Sequence, residues 1–380
     1  MSRVTVKPEM LSWACERSGH SADDMRKRFP KFDLWNRGEA SPTLKQLESF
    51  AKATYTPIGF FFLPKPLVEA VPIPDFRTMS GGRVARPSPD LLDTVYMCQQ
   101  RQEWYREFAR STGEKSVSFV GSVNQTNNVE KIAESIRHTL GFDIQERRQT
   151  PTWTDALRRF IEHADTLGIL VMVSGVVGSN NKRKLDPQEF RGFALADNLA
   201  PLVFINGSDT KAAQMFTLAH ELAHIWLGQS AVSDAQAMQI PDNQIERWCN
   251  LVAAELLVPL SALCSEYKKN NKLSDEINRL ARVFKVSTLV VLRRIHDAGG
   301  ITKEKFWQAY HEELEILGNL PSGSGGNFYL TQAARVSKRF ARALVTSTLE
   351  GQTLHRDAFR MLGFSKLETF KDLGRSLGVA

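Results

Sequence analysis

The chain has 380 residues, 42% hydrophobic and 24% charged, with a formal net charge of +7. These values exclude a disordered, collagenous or disulfide-scaffold class, and the length predicts two or three domains. The mild positive charge permits nucleic-acid contact without requiring it. Cys15, Cys98, Cys249 and Cys264 form no CxxC pair, the pattern of reduced, packed thiols. The opening MSRVTVKPEM lacks the apolar run of a signal peptide, and LGILVMVSGVVG at 167–178 is too short to span a bilayer. A cytoplasmic protein with no membrane partner is expected. The expected class is α+β and mostly helical: a small helical N-terminal domain, a central core with a small sheet, and a helical C-terminal region.

Residues 1–66 read as short helices. KPEMLSWACERSG stops at Gly19, and Ser21 caps SADDMRKRF, with acids in its first turn and bases in its last. SPTLKQLESFAKAT has Pro42 in its first turn and an apolar stripe of Leu44, Leu47, Phe50 and Ala51. LWNRGEASPTLKQLESFAKA, residues 34–53, resembles the end of a Cro/repressor-type helix-turn-helix domain, with W-x-x-G-x-x-x-P-T ahead of a fourth helix. FPKFD interrupts the preceding stretch, so the recognition helix is expected to be shortened by roughly one turn. Arg26, Lys27, Arg28, Lys31 and Arg37 are the candidate phosphate contacts. The other reading is a repressor-like fold that packs on the rest of the chain or on a partner.

Residues 67–148 begin with a proline-rich boundary containing IPDFRT and SGG, then turn helical over 90–112 and 128–140. The core, 149–270, opens with the helix TWTDALRRFIEHADTLG. Three strands are expected next, GILVMVS, FRGFALAD and PLVFIN, with GSNNKRKLDP as an exposed loop between the first two. PLVFIN is either an edge strand able to hold an extended peptide by strand addition or an ordinary core strand. A helix from Lys211 to Leu227 follows, and NQIERWCNLVAAELLVP gives another, closed by Pro259. Residues 271–318 hold two helices around FKVS with helix-turn-helix proportions, where Arg282, Lys285, Arg293 and Arg294 could meet phosphates. A trihelical bundle without DNA contact would look alike. Residues 319–380 are helical and basic after a flexible break at LPSGSGGN.

FTLAHELAHIWLG, residues 216–228, carries the chemistry. Residues i and i+4 share a helix face, so His220 and His224 present their rings to one point, as a tetrahedral Zn²⁺ requires. Glu221, turned by about 100°, flanks that point and can take a proton from a water that the ion activates. Two core histidines bonded to backbone carbonyls would give the same spacing. However, the helix is otherwise apolar, and burying two imidazoles and a carboxylate there is costly unless they are paired or hold a metal. The third ligand should come from the next helix. Glu246 and Glu255 lie on opposite faces of it, and only one can reach the ion. Glu246 is preferred, because it shares its face with Asn250, placed to orient a ligand, and with the small Ala253, which lets the helices approach. Cys249 is either a soft ligand or a buried thiol.

FTLAHELAHIWLG followed by IERWCNLVAAELLVP resembles the ImmA/IrrE family of zinc metallo-endopeptidases, whose second motif runs E-x-x-[AC]-N with an apolar tail. The resemblance extends through FRGFALAD and PLVFIN, over about 150–300. It implies a gluzincin-like site with His220, His224 and Glu246 on zinc and Glu221 as base. It also implies a protein substrate, usually a helix-turn-helix repressor. The tail resembles the end of long family members found beside toxin genes. Double-stranded DNA is the second expected partner. The alternative function is a non-cleaving antitoxin or transcriptional regulator that binds a co-encoded toxin and operator DNA.

Overall fold

Capping chemistry sets the first helices. A computed structural model describes residues 3–77, 86–233, 243–318 and 333–379. Helix α1 spans Pro8–Ser18, with proline in its first turn and Gly19 left-handed just past its end. Helix α2, Ala22–Arg28, is capped by the Ser21 side chain, which accepts from the Asp24 N–H. Helix α3 is only Phe32–Asn36, and α4, Leu44–Ala53, opens on a reciprocal capping box between Thr43 and Gln46. A 3₁₀ turn follows at Ile58–Phe62. Met10, Trp13, Trp35, Phe50 and Phe61 are buried together as the core of this region. Buried Arg17 is fixed by a two-pronged bond to Glu69 and by the Tyr55 carbonyl.

By Cα packing the chain divides into two units, residues 1–72 with 83–95 and residues 73–82 with 96–380. In the second unit, α5, Pro89–Ser111, continues from the first, followed by α6, Val129–Leu140, α7, Ile144–Gln149, and α8, Trp153–Thr166. Next come strands β1, Leu170–Ser174, β2, Gly192–Leu195, and β3, Leu202–Asn206. Helix α9 is Lys211–Leu227, β4 is Ala231–Ser233, and α10 is Gln244–Leu257. The remaining helices are α11, Leu260–Glu266, α12, Leu273–Phe284, α13, Thr288–Asp297, and α14, Lys303–Gly318. The chain ends with α15, Lys338–Leu349, α16, His355–Leu362, and α17, Leu367–Leu377. The fold is α+β and mostly helical. The SGG of 80–82 and the break at 320–327 lie outside the described residues. Among the described residues no single helix is long and apolar enough to cross a membrane.

The sheet runs β1-β3-β2-β4, with β1 parallel to β3 and the other pairings antiparallel. PLVFIN is therefore β3, a central strand buried along its whole length. Its unbroken apolar run is what burial on both faces selects. The edges are β1 and β4, and β4, three residues long, also accepts a further segment: Val232 donates to Pro74 O at 2.9 Å and Phe76 donates to Val232 O at 3.0 Å. Helix α9 crosses the sheet against β2 and β3 and packs on α8 and α10.

The end of α10 is held by three arginines from three elements. Arg137 of α6 donates to the Glu255 and Leu256 carbonyls, Arg147 of α7 to Leu257 O, and Arg294 of α13 to Val258 O at 2.8 Å. Cations suit the carbonyl end of a helix. Arg294 also pairs with the buried Glu255 carboxylate. Arg294→Ala should therefore lower stability by about 3–5 kcal/mol, because it strands a buried charge. Replacing both partners, Arg294→Met with Glu255→Gln, should recover most of that loss in urea or thermal denaturation.

Candidate metal centre

The site lies where α9 meets α10. Alanines make the approach close: Ala219 and Ala223 on α9 and Ala253 on α10 are all fully buried. Helix α9 begins at its Thr210 cap and ends at left-handed Gly228, so it presents His220 and His224 one turn apart. Asn243 caps α10, accepting from the Ile245 and Glu246 N–H groups, which places Glu246 in the first turn, facing α9.

His220 Nε2 and His224 Nε2 are 3.1 Å apart. Glu246 completes the triangle, with Oε2 3.2 Å from His220 Nε2 and Oε1 2.9 Å from His224 Nε2. Ligand bonds of about 2.0–2.1 Å in a tetrahedron put neighbouring donors roughly 3.3–3.4 Å apart, so the spacing suits one small divalent ion. All three residues are buried. Asn250, one turn beyond Glu246, has Oδ1 2.9 Å from His220 Nδ1. A hydrogen on Nδ1 donated to Asn250 leaves the Nε2 lone pair facing the centre, the orienting contact a ligand histidine needs. With two facing imidazole nitrogens and a carboxylate, the donor set fits zinc.

Glu221 is fully buried beside this group. Without an ion, burial pushes it up to about 8; His220 opposes the rise, Glu246 adds to it, and Ser233 offsets part of it. Burial also acts on Glu246, but His220 and His224 outweigh it and hold that carboxyl at about 2. His220 is pushed down by burial and pulled up further by Glu246, for a net rise. For His224, burial prevails and lowers it.

Two residues near the site were not among the sequence candidates. Ser233, at the end of β4, has Oγ 3.5 Å from His224 Nε2; a three-residue strand leaves no readable alternation. Gly192, the first residue of β2, lies against the Thr217 and Glu221 face of α9. A Cβ there would meet Thr217 Cγ2 at 2.6 Å, Phe204 O at 2.8 Å and Glu221 Oε1 at 3.0 Å. FRGFALAD offered that glycine as a hint of close approach.

The other candidates lie away from the centre. Glu255 is turned to Arg294. Cys249 is buried outside the donor group, and burial pushes its thiol well up. Among the expected phosphate contacts, Arg282 is exposed and Arg293 is paired with Asp297 at 2.9 Å. Two do not lie at the surface. Arg294 is buried in its pair with Glu255, and Lys285 is buried with Nζ 5.6 Å from the Trp153 ring centre. Both stems are consumed by packing α12 and α13 onto the core, so neither is free to meet a phosphate. In the N-terminal unit Arg26, Lys27, Arg28, Lys31 and Arg37 are exposed; Arg26 is shared between Asp23 and Asp33, and Arg37 lies 3.5 Å from Glu39.

Residues 164–296 match the peptidase family model Peptidase M78, described as an IrrE N-terminal-like domain. That segment, about a third of the chain, runs from the end of α8 to α13 and contains every residue of the centre. Residues 336–376 match a family described as a domain of unknown function (DUF8813). No curated protein matches the chain.

Two outcomes follow from this geometry. In metal-free protein the Glu246 contribution to stability is complete above the ordinary carboxyl value of 4.5 and is lost as pH falls toward about 2. Glu221 acts oppositely: raised to about 8, it costs stability as pH rises from 4.5 through 8. Thermal melts against pH should show both limbs, and Glu221→Gln should remove the alkaline one alone. Gly192→Ala should cost about 1–3 kcal/mol by overpacking and should leave the zinc stoichiometry unchanged, read by denaturation and metal analysis.

Proposed function

We propose that this chain is a zinc-dependent endopeptidase that hydrolyses a peptide bond in a regulatory protein. The observation that carries the reading is the convergence of His220, His224 and Glu246 within 4.8 Å, with Glu221 adjoining on the same helix. The match to a peptidase family model over the same residues supports it.

The residues divide the work. His220, His224 and Glu246 would hold the ion, and Asn250 fixes the His220 ring. A zinc ion, when bound, supplies Lewis acidity that polarises the scissile carbonyl and acidifies water. Glu221 is the proton carrier. It takes a proton from water as the oxygen attacks the carbonyl carbon, and it delivers that proton to the amide nitrogen as the C–N bond breaks. Its position next to His220 on the same helix, buried beside the donor group, favours that role. A repressor or co-encoded partner is the substrate class suggested by the resemblance to ImmA/IrrE enzymes.

A second reading, binding of a partner or operator without cleavage, is favoured by the exposed Arg26, Lys27, Arg28, Lys31 and Arg37 of the N-terminal unit and by the burial of the site. Neutralisation of a co-encoded partner by wild type and by His220→Ala separates the two readings: equal neutralisation favours binding, and loss favours hydrolysis.

Purified protein should carry about one zinc per chain, the stoichiometry of a single three-ligand centre. Glu221→Gln should retain that zinc and lose cleavage of the partner by at least about a hundredfold, as removal of a general base does. Metal analysis and a gel-based cleavage assay check both; cleavage at the wild-type rate by Glu221→Gln removes Glu221 from the mechanism.

A further inference from the structure

The β4 edge is already occupied. Residues 74–76 lie along it in parallel register, with Asp75 opposite Val232. Val232 N–H donates to Pro74 O, and Phe76 N–H donates to Val232 O. This register puts Phe76 beside Ser233 and on the same face, because side chains alternate along a strand. The Phe76 ring lies 6.3 Å from the His224 ring, at 31° to it. The next residue, Arg77, is buried; it forks onto Asp75 at 2.6 Å and reaches Glu189 at 3.3 Å.

An extended peptide bound by a sheet edge uses the same devices: main-chain bonds for affinity and alternate side chains for specificity. Here all of them are used by the protein's own chain, beside the centre. His220, Glu221 and His224 have no exposure and Glu246 has 2%, so a peptide bond cannot reach them in this arrangement. We propose that residues 73–77 stand in for the substrate, and that the β4 edge accepts an extended peptide with an aromatic residue followed by arginine. This inference rests on the peptidase reading for what the displaced strand makes way for. The aromatic ring packs against His224, and Glu189 receives the arginine as a specificity-determining residue. Substrate enters by replacing residues 73–77, so the resting site is closed.

A segment serving only to blunt a sheet edge would need its proline, which offers no N–H for further pairing. It would need neither a ring beside a metal-ligand histidine nor an arginine seated on an acid from another segment. Both features are the ones a bound peptide would use.

The test uses full-length, zinc-loaded protein carrying Glu221→Gln, so that nothing is cut, and a fluorescent peptide of sequence PIPDFRT. Introducing Phe76→Ala with Arg77→Ala frees the edge and should tighten peptide binding by at least about tenfold, the gain from removing a competing state. The same peptide with its phenylalanine and arginine changed to alanine and glutamate should not bind. Glu189→Gln in the freed protein should erase the preference between arginine and glutamine peptides. Hydrogen exchange in wild type gives a readout independent of any variant's folding. Excess peptide should speed exchange at the Phe76 amide while Val232 stays protected, because one strand replaces another. Equal peptide affinity with and without the native segment, or a Phe76 amide indifferent to peptide, would overturn the proposal. Peptide binding by the freed edge without cleavage by its Glu221-containing counterpart would support the strand assignment and tell against hydrolysis, so the two failures are distinguishable.

Discussion

Two imidazoles and two carboxylates are buried together around α9, and the rest of the second unit is arranged around that fact. Groups of this kind are expensive to bury unless they compensate one another or an ion compensates them. Here the compensation is geometric. Alanines bring α9 and α10 close enough for Glu246 to reach both histidines, and Asn250 holds one ring in place. Glycine at the start of β2 leaves room for Glu221 on the other side. Each of these positions is small or polar because a larger apolar residue would separate the donors or fill the space they face.

The ligand helices are anchored at their ends as well as along their faces. Helix α9 stops at Gly228, where the backbone of Gly121 comes so near that a Cβ on Gly228 would stand 2.8 Å from Gly121 Cα. The loop around Gly121 accompanies this end: Val123 N–H donates to Trp226 O, and Phe119 stacks on Trp226 with ring centres 4.4 Å apart. Helix α10 is held at its far end by arginines from α6, α7 and α13. Preorganisation of this kind keeps donors within tenths of an ångström of the positions an ion demands.

Much of the centre was legible in the sequence because helix periodicity is rigid. Spacing of four fixed the histidine pair on one face, and opposite faces separated Glu246 from Glu255; the buried Glu255–Arg294 pair is the counterpart of that separation. Strands with long apolar runs were also readable. The edge of the sheet was not. Three residues of β4 give no period, and PLVFIN, weighed as an edge, is central because an unbroken apolar run marks burial on both faces. The pairing of Pro74 and Phe76 with Val232 joins residues more than 150 positions apart, and no local pattern encodes a contact of that range. Lys285 and Arg294 show a related limit: charge predicts a surface, but a long stem can be drawn inward where a buried acid or an indole ring receives it.

The short link between α9 and β4 has a thermodynamic consequence. Gly228 to Ser230 are all that separate the histidine helix from the strand at the edge, and Ser233 touches the region of His224 directly. A strand added at the edge and an ion held by the donor triangle would therefore act on adjoining residues. Whatever factor an added strand imposes on the affinity for the ion, the ion imposes on the affinity for the strand, with the same sign and size. On the proposed reading, metal occupancy would then shift which polypeptide lies along the edge.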